Sequence, residues 1–209
     1  TGGLKLGAST TIAQYVLPPL LASFIGKFPQ VNLSLLNGNS REIEAALQEH
    51  RIDLGFVEGV FRLPNIKYTT FLEDELVAVV RTGSRLTVGE EITPEELLHL
   101  PLVLRERGSG TLDVFERALQ QHNIKLSSLQ VLMYLGSTES IKLFWEHTDC
   151  LGIVSIRSIT RELYSGQLRV VEIKGMPMLR DFSFAQPQGQ ESGLAQVFMQ
   201  FAMHNNNKL

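Results

Sequence analysis

The sequence contains a single cysteine, Cys150, among its 209 residues. One thiol can form neither a disulfide within the chain nor a cysteine-based metal cluster. A chain of this length buries enough surface to fold without such a crosslink. Because disulfide-poor chains fit reducing compartments, we expect a cytoplasmic protein. Cys150 precedes an apolar segment and is expected to be an inert core thiol, while a disulfide with a second chain stays open.

Runs of basic residues are missing as well. The chain has 19 lysines and arginines against 22 acidic residues, so its formal net charge is −3. A domain that binds DNA or RNA through the phosphates needs a basic face. We therefore do not expect this chain itself to contact nucleic acid.

The sequence also lacks a long hydrophobic run. Its longest apolar-looking stretch, residues 15–26, is shorter than a bilayer span and is interrupted by Pro18 and Pro19. No signal peptide opens the chain, so no membrane partner is expected. The chain begins at Thr1 without an initiator methionine, which indicates either that a segment was removed or that the chain is a fragment of a longer protein.

Sequence signatures of enzymes are absent too. None of the motifs HExxH, GxGxxG, GxSxG or the P-loop occurs. The five histidines are scattered over predicted helices, and none stands beside an obvious nucleophile or carboxylate pair. We therefore predict no catalytic residue, no cofactor and no metal site, and we do not expect an enzyme.

The sequence does contain alternating strand-like and helix-like segments, which predict an α/β fold with mostly parallel sheets. Strands are predicted at residues 4–7, 31–36, 52–57, 76–80, 102–104, 129–135, 151–155, 168–173 and 182–185. Helices are predicted at residues 17–28, around 43–47, and at 111–122, 138–147 and 194–204. The polar tail at residues 205–207 is expected to fray.

Three clusters of hydroxyl side chains stand where a helix is predicted to begin. They are Ser9-Thr10-Thr11, Ser109-Gly110-Thr111 and Ser137-Thr138. Unpaired backbone N–H groups, the helix dipole and neutral hydroxyl donors together suit a carboxylate, sulfate or phosphate group. Because ligands of open α/β sheets bind beyond the carboxyl ends of the strands, we predict a small-ligand cleft. The alternative for each cluster is simple helix capping, the commonest use of serine and threonine there.

Charged residues flank these clusters. Arg105, Glu106 and Arg107 precede the second cluster, where they could clamp an anion or could be solvated loop charges. Glu58 ends the third predicted strand and would face the same cleft. It could accept a hydrogen bond from a ligand amine or hydroxyl, or it could cap a loop or point to water.

A series of motifs runs along the chain to about residue 203. It opens with Leu4-Lys5-Leu6-Gly7-Ala8-Ser9 and Leu17-Pro18-Pro19-Leu20-Leu21, and it continues through Ile52-Asp53-Leu54-Gly55-Phe56-Val57-Glu58, Arg105-Glu106 with Gly108-Ser109-Gly110-Thr111, Gly136-Ser137, and Gly152-Ile153. In this order and spacing the motifs resemble the effector-binding (regulatory) domain of a LysR-type transcriptional regulator. Two positions depart from the family pattern: Leu112 stands where arginine is frequent, and Cys150 where glycine is frequent.

The resemblance implies a two-lobed, periplasmic-binding-protein-like fold of type 2 with a ligand cleft between the lobes. Lobe I would hold residues 1–72 plus 178–209, and lobe II residues 73–177. The effector-binding positions carried over from the family are Ser9, Thr10, Thr11, Glu58, Ser137 and Thr138, with Ser109 and Thr111 as further candidates. The effector is expected to be a small anionic metabolite or an inorganic anion.

The resemblance also implies how such a domain would act. It would form homodimers or homotetramers, and promoter DNA would be bound only through an N-terminal winged helix-turn-helix that is missing from this chain. Ligand binding would shift the assembly that positions the DNA-binding domains, which is an allosteric mechanism. The alternative is a solute-binding protein of a transporter with the same fold. An enzyme on this fold would need a positioned acid or base, for which Glu58 is the visible candidate.

Overall fold

The computed structural model describes residues 2–189 and 192–209. The strands in this part of the chain are β1 (Gly2–Ser9), β2 (Val31–Gly38), β3 (Leu54–Glu58), β4 (Ile66–Arg81), β5 (Glu91–Ile92), β6 (Pro101–Arg105), β7 (Gln130–Leu135), β8 (Leu151–Ser155), β9 (Leu168–Ile173) and β10 (Met178–Pro187). The α-helices are α1 (Thr10–Tyr15), α2 (Leu17–Lys27), α3 (Ser40–Gln48), α4 (Gly110–Gln120), α5 (Thr138–Trp145), α6 (Thr160–Ser165) and α7 (Gly193–His204).

The chain divides into two compact units. Unit 1 holds the chain up to Glu73, the short segment Gly108–Gly110 and the chain from Asp181 onward, while unit 2 holds Asp74–Arg107 and Thr111–Arg180. The expected lobes, residues 1–72 plus 178–209 and residues 73–177, differ from these units by a few residues at each crossing. They also placed residues 108–110 in lobe II, whereas the structure assigns them to unit 1.

In unit 1 the strand order is β2-β1-β3-β10. The first three strands are parallel, and Ser9 at the end of β1 pairs with Gly38 at the end of β2. Strand β10 returns antiparallel to β3, with Phe182 opposite Glu58. The core of unit 1 is rich in phenylalanine. Phe24 of α2 and Phe198 of α7 pack against each other there, with their ring centroids 4.9 Å apart. The carboxyl ends of β1, β2 and β3 therefore meet at one edge of the sheet, where helices begin.

In unit 2 strands β7, β6 and β8 are parallel in that order. Strand β4 runs antiparallel to β8 and to β9, and β9 also pairs with the short strand β5. The indole of Trp145 lies at the centre of a cluster with Ile141 and Val154. A Cβ atom on Gly152 would come within 2.4 Å of that ring, so glycine at this position lets the indole lie against β8. Unit 2 therefore also contains parallel strands whose carboxyl ends are followed by helices.

The structure departs from the sequence predictions at several elements. The helix predicted at residues 17–28 is α2, and the short helix α1, which Val16 separates from it, was not predicted; prolines at the start of α2 have no N–H to continue the hydrogen bonding of α1. Strand β4 begins ten residues before the predicted 76–80 segment, and helix α6 was not predicted. In the tail at residues 205–207, which was expected to fray, Asn205 and Asn206 donate side-chain hydrogen bonds to the carbonyls of Phe201 and Phe71. Among the described helices, none is long and apolar enough to cross a membrane.

Candidate functional site

In unit 1, the first hydroxyl cluster lies at the junction of β1 and α1. Ser9 is the last residue of the strand, Thr10 is the first of the helix, and all three hydroxyl residues are buried, with Ser9 and Thr11 each 1% exposed. Thr10 Oγ1 donates a hydrogen bond to the carbonyl oxygen of Gly38, 3.1 Å away at the end of β2. This bond joins the ends of the two neighbouring strands.

The other two hydroxyls of this cluster are different. The Oγ atom of Ser9 and the Oγ1 atom of Thr11 are buried and have no hydrogen-bond partner among the described residues. Ser9 also makes no side-chain cap for α1, although it stands at the N-cap position. A buried hydroxyl without a partner is costly, and native proteins keep few of them. These two oxygens are therefore the strongest sign of a ligand in unit 1.

The carboxyl end of β3 brings Glu58 to the same edge. Its side chain is buried, and its backbone N–H donates to the Oγ atom of Ser40 at 3.0 Å. Ser40 is the first residue of α3, and that helix start is fixed by a capping box between Asn39 and Glu42. The alternative in which Glu58 points to water is therefore wrong, because α3 holds the end of β3 inside unit 1.

The start of α4 packs directly on Glu58. A Cβ atom on Gly110 would lie 2.4 Å from the Cγ atom of Glu58 and 2.5 Å from its carbonyl oxygen, so only glycine fits there. Gly108 has a φ of +96° and lies against the side chain of Asn39. Between these glycines Ser109 is completely buried. Segment 108–110 therefore belongs to the same edge as Glu58 and the start of α3.

Helices α1, α3 and α4 all begin at this edge, which also holds buried hydroxyl groups and the carboxylate of Glu58. The positive dipole end of α3 and the hydroxyls of Ser9 and Thr11 favour an acceptor group on a ligand. The carboxylate of Glu58 adds one acceptor and one negative charge. Such a set suits a small ligand with an anionic group and at least one hydroxyl or amine. We call this edge, with Ser9, Thr10, Thr11, Glu58 and Ser109, the unit 1 edge.

The third cluster belongs to unit 2, where its hydroxyls are used differently. Ser137 is the N-cap of α5, and its Oγ atom accepts a hydrogen bond from the backbone N–H of Ser140 at 3.1 Å. The Ser137 hydroxyl also donates to Ser140 Oγ at 3.0 Å. Thr138 is buried at the first position of the helix. The capping that served as the alternative at the sequence level is therefore present at Ser137.

Thr111, the remaining predicted residue, also belongs to unit 2. Its Oγ1 atom accepts a hydrogen bond from Nη1 of Arg180 at 3.0 Å. The Nε atom of Arg180 in turn donates to Asp74 at 2.9 Å, and Ser155 Oγ donates to the other oxygen of Asp74 at 2.8 Å. All four side chains are buried. No local sequence pattern predicts this network, because Asp74 and Arg180 are 106 positions apart in the chain.

The charged residues before the second cluster were expected either to clamp an anion or to be solvated loop charges, and Arg105 and Arg107 differ in this respect. Arg105 is 1% exposed, so the interpretation as a solvated loop charge is wrong for this residue. It forms an ion pair with the neighbouring Glu106 at 2.9 Å. Arg107, by contrast, is exposed and pairs with Glu116 at 3.1 Å, as expected for a loop charge. Leu112, where a cation was expected from the family pattern, is a core residue.

Cys150 is a buried core residue just before β8. Burial raises the pKa of its thiol to about 11, and the nearby charge of Asp149 adds to that shift. Since the thiolate is the reactive form, this thiol is unreactive near neutral pH. The expectation of an inert core thiol fits this environment.

Comparison with known proteins places the chain in a family. Residues 1–206 match the model of the LysR substrate binding domain. The chain is 36% identical over 172 residues to the uncharacterized HTH-type transcriptional regulator YeiE of Escherichia coli K12, which covers 82% of this chain and 57% of YeiE. It is 30% identical over 201 residues to the HTH-type transcriptional activator CmpR of Synechocystis, covering 96% of this chain and 65% of CmpR. The chain thus spans less than two thirds of each relative.

A solved structure agrees with this match. The regulatory domain of CcmR from Synechocystis, in complex with 2-PG, superimposes with a TM-score of 0.86 at 28% identity, over 98% of this chain and 97% of that domain. The likeness confirms the predicted α/β fold of the two-lobed, periplasmic-binding-protein-like type. The chain belongs to the LysR substrate binding domain family.

Proposed function

We propose that the chain is the effector-sensing domain of a LysR-type transcription regulator and that the unit 1 edge binds a small anionic effector. The whole protein would bind promoter DNA through a separate helix-turn-helix domain, work as a homodimer or homotetramer, and act in the cytoplasm without catalysing a reaction. Membership of the family favours this function over a transport protein, because YeiE and CmpR, which the chain matches, are named as transcriptional regulators.

The observation that carries the proposal is the pair of buried hydroxyls on Ser9 and Thr11. Both oxygens lack a hydrogen-bond partner among the described residues, and both lie at the β1–α1 junction. A bound anion would accept hydrogen bonds from them and would remove the cost of burying them. The CcmR regulatory domain, which this chain resembles over 98% of its length, was solved with 2-PG, and this supports a small ligand for the present chain.

Glu58 narrows the class of effector. Its buried carboxylate at the same edge would repel a ligand that carries only negative charge, unless that ligand also offers a hydroxyl or amine to it. We therefore propose an effector with one anionic group and a neighbouring donor, such as a hydroxy acid. Thr111, Ser137 and Thr138 of unit 2 stay predicted effector contacts, and Thr111 and Ser137 already make hydrogen bonds within unit 2.

The test is a thermal-shift titration of the chain with sulfate, 2-PG and a panel of hydroxy acids. A ligand at 100 times its dissociation constant should stabilise the chain by about 2.7 kcal/mol. The double variant Ser9→Ala with Thr11→Ala should bind at least about tenfold more weakly, which corresponds to about 1.4 kcal/mol. Ser9→Ala alone should not lower the melting temperature without ligand, since its hydroxyl makes no hydrogen bond among the described residues, whereas Thr11→Ala also removes a buried methyl group.

Ser23→Ala is the matched control, because Ser23 is an exposed serine on α2 of the same unit. It should bind the same ligands as the unchanged chain. Wild-type affinity in the double variant would overturn the assignment of the unit 1 edge. Stabilisation by none of the anions would overturn the effector class.

A further inference from the structure

A cavity of about 320 Å³ lies within unit 2. Arg81 at the end of β4, Trp145 and Glu146 at the end of α5, Glu162 on α6 and Gln167 before β9 contribute to its lining. Its volume is within the range of small-molecule sites. Because α5 begins at Thr138 and the cavity lies at the other end of that helix, the cavity is separate from the hydroxyl cluster of unit 2.

The cavity is lined by two residues whose buried N–H groups have no hydrogen-bond partner among the described residues. One is the indole Nε1–H of Trp145, a side chain that is 1% exposed, and the other is the Nε–H of Arg81. Indole nitrogens that are buried normally find an acceptor, since the N–H can only donate. Both groups therefore require an acceptor that the described residues do not supply.

Packing holds both donors in place. The ring of Trp145 lies against Gly152, where a Cβ atom would come within 2.4 Å of it, so the indole cannot turn freely. Nη2 of Arg81 donates to Asp149 at 2.8 Å, and Asp149 also accepts from Ser84. This bond anchors the guanidinium and leaves its Nε–H in a fixed direction. Donors that are already positioned favour binding, because little side-chain freedom is lost when a ligand arrives.

The charged groups around the cavity decide which acceptor would fit. Nζ of Lys142 lies 3.0 Å from Glu162 and 3.2 Å from Glu139, so this ammonium is already surrounded by carboxylates. Glu146 adds a further carboxylate to the lining. A ligand with negative charge alone would meet these acids, whereas a ligand that also carries an ammonium group would be attracted to them.

We propose that this cavity is a second ligand site of the domain and that it binds a free α-amino acid. The carboxylate of the amino acid would accept hydrogen bonds from Trp145 Nε1–H and Arg81 Nε–H, and its ammonium group would face Glu146 and Glu162. This site is distinct from the unit 1 edge in both residues and ligand class. A regulator with two such sites would respond to two small molecules.

Trp145 allows a direct test, because it is the one tryptophan of the chain. In a ¹H–¹⁵N spectrum of the labelled chain its indole gives a single resonance, and each standard amino acid is added in turn up to millimolar concentration. We expect at least one amino acid to shift this resonance in a saturable way. The same amino acid with its amino group acetylated should bind at least tenfold more weakly, because its ammonium is lost.

Two variants assign the binding to the cavity. Arg81→Lys keeps the positive charge but removes the Nε–H, and it should weaken binding at least tenfold while the indole resonance stays as the reporter. Trp145→Phe removes the other donor, and its binding is followed by calorimetry after a melting curve has shown that it folds. Ser9→Ala with Thr11→Ala should bind the amino acid like the unchanged chain.

Three results would overturn the site. One is an indole resonance that no amino acid moves, and another is unchanged affinity in Arg81→Lys. The third is loss of amino-acid binding in the Ser9→Ala, Thr11→Ala variant, which would place the amino acid at the unit 1 edge instead. That third result would leave the proposed effector function standing.

Discussion

The two units repeat one arrangement, in which parallel strands end at a glycine and hydroxyl residues that open a helix. In unit 1 the sequence is Leu6-Gly7-Ala8-Ser9-Thr10-Thr11-Ile12, and in unit 2 it is Leu135-Gly136-Ser137-Thr138-Glu139-Ser140-Ile141. In unit 2, Ser137 accepts a hydrogen bond from the backbone of Ser140 and so stabilises its own helix. In unit 1, Ser9 and Thr11 have no such partner among the described residues.

This difference shows that one sequence pattern can serve stability in one place and be available for binding in another. The pattern itself specifies only that a hydroxyl stands at a helix start. What decides its use is the set of groups that the rest of the fold brings near it. Hydroxyls that are already satisfied contribute to stability, and buried hydroxyls without a partner reduce it unless a ligand accepts from them.

The largest expected effect comes from breaking the network that occupies Thr111 in unit 2. Asp74→Ala would leave the buried guanidinium of Arg180 without its carboxylate, which should destabilise the chain by about 3–5 kcal/mol. Urea unfolding measures the change. The control is Glu116→Ala, which breaks the exposed pair with Arg107 and should cost less than about 1 kcal/mol. Equal losses in the two variants would show that the network does not hold unit 2 together.

A smaller effect is expected from replacing by alanine the serines at the N-cap positions of α1 and α5. Ser137→Ala should lower stability by about 1 kcal/mol, since it removes the N-cap of α5. Ser9→Ala should leave stability unchanged or raise it slightly, because its hydroxyl makes no hydrogen bond. Thermal unfolding of the two single variants measures this contrast. A clear loss of stability in Ser9→Ala would mean that its hydroxyl has a structural partner, and the contrast between the units would be gone.

Local sequence patterns predicted those parts of the fold whose apolar spacing is itself local. Strands β1, β2, β8 and β9 lie where alternating or continuous apolar residues indicated them, and α3, whose start is fixed by the capping box of Asn39 and Glu42, covers the helix predicted around residues 43–47. The first half of β4 was missed because Lys67, Thr69 and Glu73 break any apolar run. That strand forms through pairing with distant segments, which a local pattern does not contain.

The candidate site shows the same limit. The positions of Ser9, Thr10 and Glu58 at strand ends could be predicted from the sequence, because strand ends follow from periodicity. That the Thr111 hydroxyl has a partner could not be predicted, since that partner, Arg180, comes from far along the chain. The burial of Arg105 could not be predicted either, because its local sequence of alternating charges is typical of a solvated loop.

A third comparison uses pH and concerns one weak acid in each unit. Burial raises the pKa of Tyr68 in unit 1 to about 12, with a hydrogen bond to Glu44 as the next cause, and burial raises that of Cys150 in unit 2 to about 11. A raised folded-state pKa gives stability that is complete below the unfolded value and is lost as the pH rises to the folded value. The Cys150 contribution should therefore disappear between about pH 9 and 11, and that of Tyr68 between about pH 10 and 12. Melting temperatures of the chain, Tyr68→Phe and Cys150→Ala across this range measure both, and each variant should lose less stability on going to high pH. Parallel pH curves for all three proteins would show that neither group titrates with unfolding.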